Sequence, residues 1–358
     1  MVTFLPSRPG RLADVPSYRR TVGGAESNVA CALARLGHRA KWVSRVGTDG
    51  FGTHLVEAIG AHGVDVSSVV RDPARPTGVY FRTADDREDA DHEVVYYRAG
   101  SAASAMSPDT VARDTLYAAR VLHLSGITAA LSDDCLALMR TLCAPDPARP
   151  LLSFDVNYRP ALWASAAADA SVLLELARHA DLVLVGEDEA AAAWGVRGGP
   201  HAVREALPEP AVLVVKQGAA GATAFVRGGT GAATRGPDSN PPAFGDPPGT
   251  PHAFGDPPGT PDAQCQHVPA PAVDVVAPVG AGDAFAAGFL SATLRGLDLT
   301  ARLRHGHLTA AAALTDPGDV AVPPDRAHAD ELAALAPDAW ERLRLGPGWT
   351  GRHQEVRA

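Results

Sequence analysis

Long apolar runs and lysines are both scarce in this chain of 358 residues, and each scarcity excludes a class of protein. No stretch approaches the roughly 18 uncharged apolar residues that a membrane-spanning helix needs, so we expect no membrane span. Of the 32 lysines and arginines only Lys41 and Lys216 are lysines, and 41 aspartates and glutamates bring the net charge to −9. Such a chain has no general basic field for nucleic acid or an anionic membrane, so an anionic ligand must be held by local groups.

The four cysteines, Cys31, Cys135, Cys143 and Cys265, form no CxxC pair and no short spacing with histidine. The pattern therefore indicates neither a zinc site nor a disulfide framework, and buried or idle thiols in a reducing compartment explain it. The first residues, MVTFLPSRPGRL, lack the layout of a signal peptide, and no lipidation motif is present. We therefore expect a cytoplasmic protein.

Apolar runs alternate with helical patterns from about residue 20 to residue 225. The apolar runs predict strands at 41–46, 120–124, 151–156, 181–185 and 211–216. Helical patterns separate them, for example at 133–142 and 171–179, and a first helix is predicted with Ser27 as its N-cap and Gly37 at its end. Several of the strands are apolar on both faces, which is typical of a parallel sheet covered by helices on both sides.

Three segments interrupt this alternation. Residues 78–83 and 92–98 predict two antiparallel strands, which would form a small flap at about 76–101 over the carboxyl edge of the sheet, where such folds bind ligands. The sequence AFGDPPGTP occurs at 243–251 and again at 253–261, so we expect a disordered, duplicated insertion at 229–265. The residues after 323 have weak periodicity and no motif, and 324–358 receive no role.

A glycine-rich turn that ends in an aspartate, Gly280-Ala281-Gly282-Asp283, opens an amphipathic helix. Bare backbone N–H groups and the helix dipole at such a turn suit phosphate oxygens. A carboxylate at the same point repels phosphate, but it suits an acceptor hydroxyl whose proton it removes while the amides hold the transferred group. The alternative is an ordinary helix in which Asp283 is only a cap.

A second glycine motif, Gly23-Gly24-Ala25-Glu26-Ser27-Asn28, lies just before the first helix, with Gly37 and Gly47 downstream. Together the two motifs closely resemble the paired signatures of the PfkB, or ribokinase-like, carbohydrate kinases. The resemblance extends from Met1 to about Pro323 apart from the insertion. It implies one kinase domain over residues 1–323, with a ribokinase-like three-layer α/β/α fold, a mostly parallel sheet and the antiparallel flap.

The resemblance also implies roles for individual residues. Asp283 is the expected catalytic base, and Gly280, Ala281 and Gly282 are the expected anion hole. The expected sugar contacts of the first motif are Gly23, Gly24 and Asn28. On the nucleotide side the resemblance implies Lys216, Gly218 and Gly221 near ATP, and Glu189 near Mg²⁺ through water. His307 stands where an asparagine near the adenine is common in the family, so we expect it near an altered base pocket. A surface lysine at a strand end is the alternative for Lys216.

The segment SFDVNYRP at 153–160 is similar to the DxNxR segment of the 2-keto-3-deoxygluconate (2-dehydro-3-deoxygluconate) kinases of that family. Its Arg159 offers a planar fork to a carboxylate, which a neutral sugar does not need. The resemblance also places Tyr96 and Arg98 of the flap at the substrate, with Tyr80 as a third flap contact. The expected substrates are therefore 2-keto-3-deoxygluconate and ATP with Mg²⁺. The alternatives are an Arg159–Asp155 ion pair without a ligand role, and another sugar acid or ketose such as 5-dehydro-2-deoxygluconate or fructose.

Three features depart from the family pattern. Ala277-Pro278-Val279 stands where relatives carry an aspartate that helps hold a monovalent cation, so dependence on potassium is doubtful, and Gly186 replaces the asparagine of the NxxE motif. Relatives also begin with a β-strand before the stretch that Met1 to Leu12 resembles, so we expect the first strand to be missing, either through a misassigned start codon or by true loss. True loss would favour a non-catalytic sugar or nucleotide binder. The family further suggests a homodimer or a higher homo-oligomer formed through the flap.

Overall fold

A computed structural model describes residues 1–83, 94–164, 169–227, 262–318 and 320–351. In these residues helices cover both faces of a mostly parallel sheet, and a smaller sheet lies beside it. The three-layer α/β/α fold with a flap is therefore confirmed. None of the helices in the described part of the chain is long and apolar enough to cross a membrane.

The strands follow the predicted runs closely. In chain order they are β1 (Val2–Pro6), β2 (Tyr18–Val22), β3 (Ser44–Gly47), β4 (Val69–Asp72), β5 (Val79–Arg82), β6 (Val94–Tyr97), β7 (Val121–Ser125), β8 (Leu151–Asp155), β9 (Leu182–Gly186), β10 (Val212–Lys216), β11 (Ala222–Arg227), β12 (Asp262–Val268), β13 (Ala272–Val273) and β14 (Arg344–Leu345). The strand predicted at 41–46 begins later, because Lys41 makes only an isolated bridge to Asp65.

The helices lie between the strands. They are α1 (Ala25–Arg35), α2 (Gly50–Ala61), α3 (Arg113–Tyr117), α4 (Gly126–Ala129), α5 (Asp133–Cys143), α6 (Pro160–Trp163), α7 (Ser171–Arg178), α8 (Glu187–Trp194), α9 (Gly199–Ala206), α10 (Ala281–Leu294), α11 (Leu299–Leu314), α12 (Arg326–Ala333) and α13 (Pro337–Glu341). The predicted Ser27 N-cap is wrong: Gly24 holds that position, and the Ser27 hydroxyl donates to the Gly24 carbonyl instead.

The large sheet has the strand order β12-β11-β10-β9-β8-β7, with β7 to β10 parallel. Successive residues of β9 explain why its sequence is continuously apolar: Leu182 and Leu184 pack with α10 and α11 on one face, and Val183 and Val185 pack with α5 and α7 on the other. Full burial of each such side chain contributes about 1.5–3 kcal/mol. The carboxyl ends of these strands share one edge, which brings the motifs that follow them together.

The flap contains four strands in the order β2-β1-β5-β6, twice the number that the sequence predicted. The predicted pair forms its antiparallel outer half, β5 with β6, and β1 adds to β5 in parallel. The chain therefore begins in the flap and not in the large sheet. Residues 84–91, which the sequence predicts as an acidic, solvated turn between β5 and β6, lie outside the described residues.

A gap separates β7 from β3. In the described residues β7 ends the large sheet, while β3 pairs only with β4. Residues of both strands line one cavity of about 1070 Å³. The Leu151 N–H donates to the Arg120 carbonyl, so the alternate amides of β7, those of Val121 and His123, point away from β8 and into the gap.

The described residues after 323 contribute several side chains to the core. Leu332, Trp340 and Trp349 are buried in the cluster that α10 and α11 form, and the Trp340 indole N–H donates to the Pro269 carbonyl at 2.8 Å. The C-terminal segment thus closes one face of the sheet, although its sequence shows only weak periodicity.

The expected insertion is shorter at its carboxyl end than the sequence predicted. Strand β12 begins at Asp262 and pairs with β11, so the last residues of the predicted 229–265 segment are a sheet strand. The duplicated part of the insertion lies outside the described residues.

Candidate functional site

The cavity that begins in the gap continues to the carboxyl edge of the parallel strands. Most of the residues predicted for the site line it: Gly24, Asn28, Tyr80, Tyr96, Arg98, Arg159, Glu189, Lys216, Gly280, Gly282 and Asp283. They come from positions up to 259 residues apart in the chain, between Gly24 and Asp283. The fold therefore brings both glycine motifs, the flap and the 153–160 segment to one cleft.

Asp283 lies in the first turn of α10, and the side-chain amides of two asparagines contact its carboxylate. The N-cap of that helix is Gly280, whose φ of +79° is a left-handed conformation that glycine adopts without strain. Asn28 Nδ2 donates to Asp283 Oδ2 at 2.8 Å, and Asn157 Nδ2 donates to Oδ1 at 3.4 Å. Burial raises the pKa of Asp283 to about 7, Asp155 adds to that, and the Asn28 hydrogen bond and nearby cations oppose it. A base with such a pKa can accept a proton near neutral pH.

Glycines position Asn28 at the opening of α1. Gly24 has a φ of +142°, and a Cβ there would lie 2.9 Å from the Ser27 hydroxyl. Gly23 N–H donates to the Met1 carbonyl, which ties the motif to the first residue of the flap. Asn28 Oδ1 is buried and has no hydrogen-bond partner among the described residues. The amide thus holds the candidate base with one end and leaves an acceptor at the other.

Lys216 and Asp155 form a salt bridge on the floor of the cleft. The Lys216 ammonium lies 3.0 Å and 3.2 Å from the two carboxylate oxygens of Asp155. Asp155 ends β8 and Lys216 ends β10, so the pair spans β9, which lies between them. Burial by itself lowers the pKa of Lys216, but Asp155 and Glu189 outweigh burial and raise it. The ammonium therefore remains charged.

Arg159 pairs with Glu189 and not with Asp155. Its Nη1 donates to Glu189 Oε1 at 3.2 Å and to its neighbour's carbonyl, Tyr158 O. The other Glu189 oxygen accepts from the Gly186 N–H at 2.8 Å, so the carboxylate also caps α8. An Arg159–Asp155 ion pair, the alternative that the sequence left open, is not formed, because Lys216 takes Asp155.

Arg98 of the flap lines the cleft, and its guanidinium is only partly hydrogen-bonded. Arg98 Cζ lies 5.2 Å from the centre of the Tyr96 ring, which in turn lies 5.4 Å from the Tyr80 ring. Arg98 Nη1 contacts the sulfur of Met1 at 3.7 Å, and Nη2 is buried without a hydrogen-bond partner among the described residues. A buried guanidinium with an unused donor favours an anionic ligand.

Other predicted residues lie beside the cleft. His307 is in the core, where its Nε2 lies 3.1 Å from the Val268 carbonyl and burial lowers its pKa to about 4. Gly221 has a φ of +122°, and a Cβ there would lie 2.2 Å from Val268 O, so packing alone requires glycine. Gly218 is exposed at the turn that follows Lys216, and Ala281 contributes its backbone to the first turn of α10.

The described residues contain no group of three or more histidine, cysteine, aspartate or glutamate side chains that could hold a metal ion. Two site residues received no role from the sequence. Asn157, which has a φ of +45° and contacts Asp283, and Asp155, which holds Lys216, both belong to the quoted 153–160 segment. A buried aspartate and an asparagine at the carboxyl end of an apolar strand are the signal that could have identified them.

The chain is similar to known carbohydrate kinases. The chain matches the family described as pfkB family carbohydrate kinase over residues 2–241 and 260–326. It is 36% identical over 225 residues to a 2-dehydro-3-deoxygluconokinase of Thermoproteus tenax, which covers 62% of this chain and 68% of the relative. It is 32% identical over 327 residues to the 2-dehydro-3-deoxygluconokinase of Bacillus subtilis, 89% of each chain. Fructokinase-1 of Zea mays is 34% identical over 190 residues, 53% of this chain and 58% of its own.

Solved structures show the same fold. A PfkB protein from Polaromonas sp. JS666 has a TM-score of 0.72 and 32% identity, with 94% of this chain and 97% of that chain covered. An uncharacterized sugar kinase from Pyrococcus horikoshii in complex with ATP has a TM-score of 0.71, with 95% and 97% covered. Since it is only 23% identical, that second likeness concerns the fold alone.

Proposed function

The chain belongs to the pfkB family of carbohydrate kinases, and we propose that within this family it phosphorylates the primary hydroxyl of 2-dehydro-3-deoxygluconate from ATP. The two 2-dehydro-3-deoxygluconokinases at 36% and 32% identity support this substrate. The observation that carries the proposal is Arg98, whose Nη2 is buried in the flap wall of the cleft without a partner among the described residues.

A carboxylate supplies what Arg98 lacks. A neutral ketose offers this side chain only hydroxyl groups, whereas a sugar acid offers a charged acceptor that restores the hydrogen bond lost on burial. Arg159 lines the same cleft, but part of its charge is already paired with Glu189. Arg98 is therefore the main anchor for the acid end in this proposal, and Arg159 adds to the positive field.

Asp283 is the proposed base. Its carboxylate removes the proton of the sugar hydroxyl as that oxygen attacks the γ-phosphorus, and Asn28 and Asn157 hold the two carboxylate oxygens in place. The backbone N–H groups of the 280–282 turn, at the positive end of α10, receive the negative charge that develops on the transferred group. The sugar hydroxyl, the Asp283 carboxylate and the backbone N–H groups of the 280–282 turn would then lie close together in the cleft.

In this proposal ATP lies on the opposite side, next to Lys216, which lines the cleft, and the exposed Gly218 turn beside it. Magnesium, when bound, neutralises charge on the phosphates. Glu189 is the one carboxylate of the NxxE-like segment that faces the cleft, and both of its oxygens already accept hydrogen bonds. This donor set suits an ion held mainly by phosphate oxygens and water, since Mg²⁺ keeps several of its waters in such sites.

The test compares kcat/KM for 2-dehydro-3-deoxygluconate and for fructose in the wild type and in Arg98→Gln. We expect the wild type to prefer the acid, and Arg98→Gln to lose about 10- to 100-fold for the acid and little for fructose, because a charge-assisted hydrogen bond contributes about 1.5–3 kcal/mol. Arg342→Gln is the matched control, since Arg342 forms an exposed pair with Asp338. A wild-type preference for fructose, or equal losses for both sugars, would refute the substrate assignment.

A further inference from the structure

The two lysines of the chain occupy different environments. Lys41 is exposed, with 39% of its side chain accessible, and pairs with Asp65 at 3.1 Å. Lys216 has only 17% of its side chain accessible. Both lysines line the cavity, but Lys41 lies just before β3 at the gap, whereas Lys216 lies beside Asp283, where the reaction is proposed to occur. This suggests a task for a compact ammonium that a guanidinium fork does not perform.

Asp155 fixes the direction of that ammonium. Its carboxylate is 3% exposed, and both of its oxygens lie within hydrogen-bond distance of Lys216 Nζ. The residue opposite Lys216 in β9 is Gly186, so β9 contributes no side chain at this position between Lys216 and Asp155. Two oxygens on one nitrogen leave at least one ammonium proton for another acceptor, since an ammonium carries three.

The remaining donor lies beside the glycine turn. A Cβ built on Gly282 would lie 3.6 Å from Lys216 Nζ, so the ammonium is in contact range of the first turn of α10. The backbone N–H groups of that turn and the ammonium therefore present positive charge to the same small volume. Asp283, the proposed base, follows Gly282 directly in the chain. The arrangement gives the phosphoryl group a donor that the backbone alone does not supply.

We propose that Lys216 is a further catalytic residue, whose ammonium contacts the oxygens of the phosphoryl group in transfer, and that Asp155 is the positioning residue which holds it there. This inference rests on the proposed function. The bond that forms joins the sugar oxygen to the γ-phosphorus, and the bond that breaks leaves its electron pair on the β-phosphate oxygen of ADP. Asp283 takes the hydroxyl proton, and Lys216 keeps its own protons throughout.

The role differs from simple nucleotide binding in its kinetic consequence. Negative charge on the transferred group is redistributed toward the transition state, so a donor fixed at that point lowers the barrier more than it tightens ground-state binding. Asp155 fixes the donor in advance, which avoids the reorganisation that a free lysine would need. Loss of the ammonium should therefore lower kcat and leave the KM for the sugar unchanged.

The experiment is a double-mutant cycle with Lys216→Met, Asp155→Asn and the double variant. We expect Lys216→Met to lower kcat about 100-fold with little change in the sugar KM, and Asp155→Asn to lower it about 10-fold. Because Asp155 acts through Lys216, the double variant should be no slower than Lys216→Met alone. Lys41→Met is the control, and it should retain the wild-type kcat. An unchanged kcat in Lys216→Met, or multiplicative losses in the double variant, would overturn the inference.

A second measurement needs no variant, so it remains decisive if the substitutions prevent folding. With two lysines in the chain, acylation by an amine-specific reagent can be followed at each by mass spectrometry. We expect ATP to slow modification of Lys216 severalfold relative to Lys41. Equal protection of both, or none, would contradict the inference. A wild type that phosphorylates only a different sugar refutes the substrate assignment and leaves both tests of Lys216 interpretable.

Discussion

Replacing Asp283 by asparagine should destroy activity and stabilise the protein, and the stabilisation should depend on pH. The substitution keeps the size of the side chain and an oxygen that can accept from Asn28 Nδ2. It removes the carboxylate that we propose as the base for the hydroxyl proton, so kcat should fall at least about 100-fold. It also removes a carboxylate that the folded cleft tolerates poorly, and that second effect can be calculated.

Burial raises the pKa of Asp283 from 3.8 to about 7. Each unit corresponds to about 1.4 kcal/mol, so the ionised carboxylate costs the folded state on the order of 4 kcal/mol at about pH 8. The folded state has the higher pKa and binds more protons than the unfolded chain between the two values, so wild-type stability falls as pH rises through this window. At about pH 5 only about 2 kcal/mol of the cost is present, and at about pH 3 almost none.

The assay is urea unfolding of the wild type and Asp283→Asn at about pH 5 and pH 8. The asparagine amide meets the Asn157 donor and loses about 1 kcal/mol, but this loss is the same at both pH values and cancels in the comparison. The advantage of the variant should therefore grow by about 2 kcal/mol from the lower to the higher pH. An advantage that stays constant or shrinks with rising pH would refute the argument that burial of Asp283 sets its pKa.

Three further predictions follow from the same contacts. Asn28→Ala removes a hydrogen bond that lowers the pKa of Asp283, so the acidic limb of the kcat/KM profile should move to higher pH. Trp340→Ala should cost about 3–5 kcal/mol in urea unfolding, since Trp340 is 1% exposed. In native-state hydrogen exchange, the amides of Val121 and His123 should exchange faster than those of Leu122 and Leu124, because only the latter face β8; equal protection would mean that the gap is closed.

The alternation of apolar runs and helical patterns was enough to predict the parallel strands β7 to β10. Their side chains are buried on both faces, so the hydrophobic signal is strong and the flanking residues are distinct. The two flap strands β1 and β2 were harder to predict. Val2–Pro6 and Tyr18–Val22 are short and partly exposed, and the pairing of β1 with β5 depends on contacts distant in the chain. Local pattern carries no information on such contacts.

The C-terminal segment was missed for a similar reason. Helices of eight and five residues, such as α12 and α13, give too few turns for a clear periodicity. Their stability comes from tertiary burial of a few large side chains, Trp340 and Trp349 among them, and not from local propensity. The weak periodicity is therefore typical of a segment whose structure depends on the rest of the core, and it does not indicate a segment outside the core.

At the site, the two glycine motifs identified Asp283 and Asn28, whereas the Asp155–Lys216 pair required the strand order. Asp155 and Lys216 are 61 residues apart, and they meet only because β8 and β10 flank β9 and end at the same edge of the sheet. The pair also changes how the net charge of −9 should be interpreted. In the proposed function the sugar acid and ATP are both anions, so a few placed cations, Arg98 and Lys216 foremost, would attract them. The Asp155 carboxylate lies at the bottom of the proposed anion site. If it keeps the Lys216 ammonium fixed at the glycine turn, it assists anion binding, because it orients that ammonium while it neutralises only part of the charge.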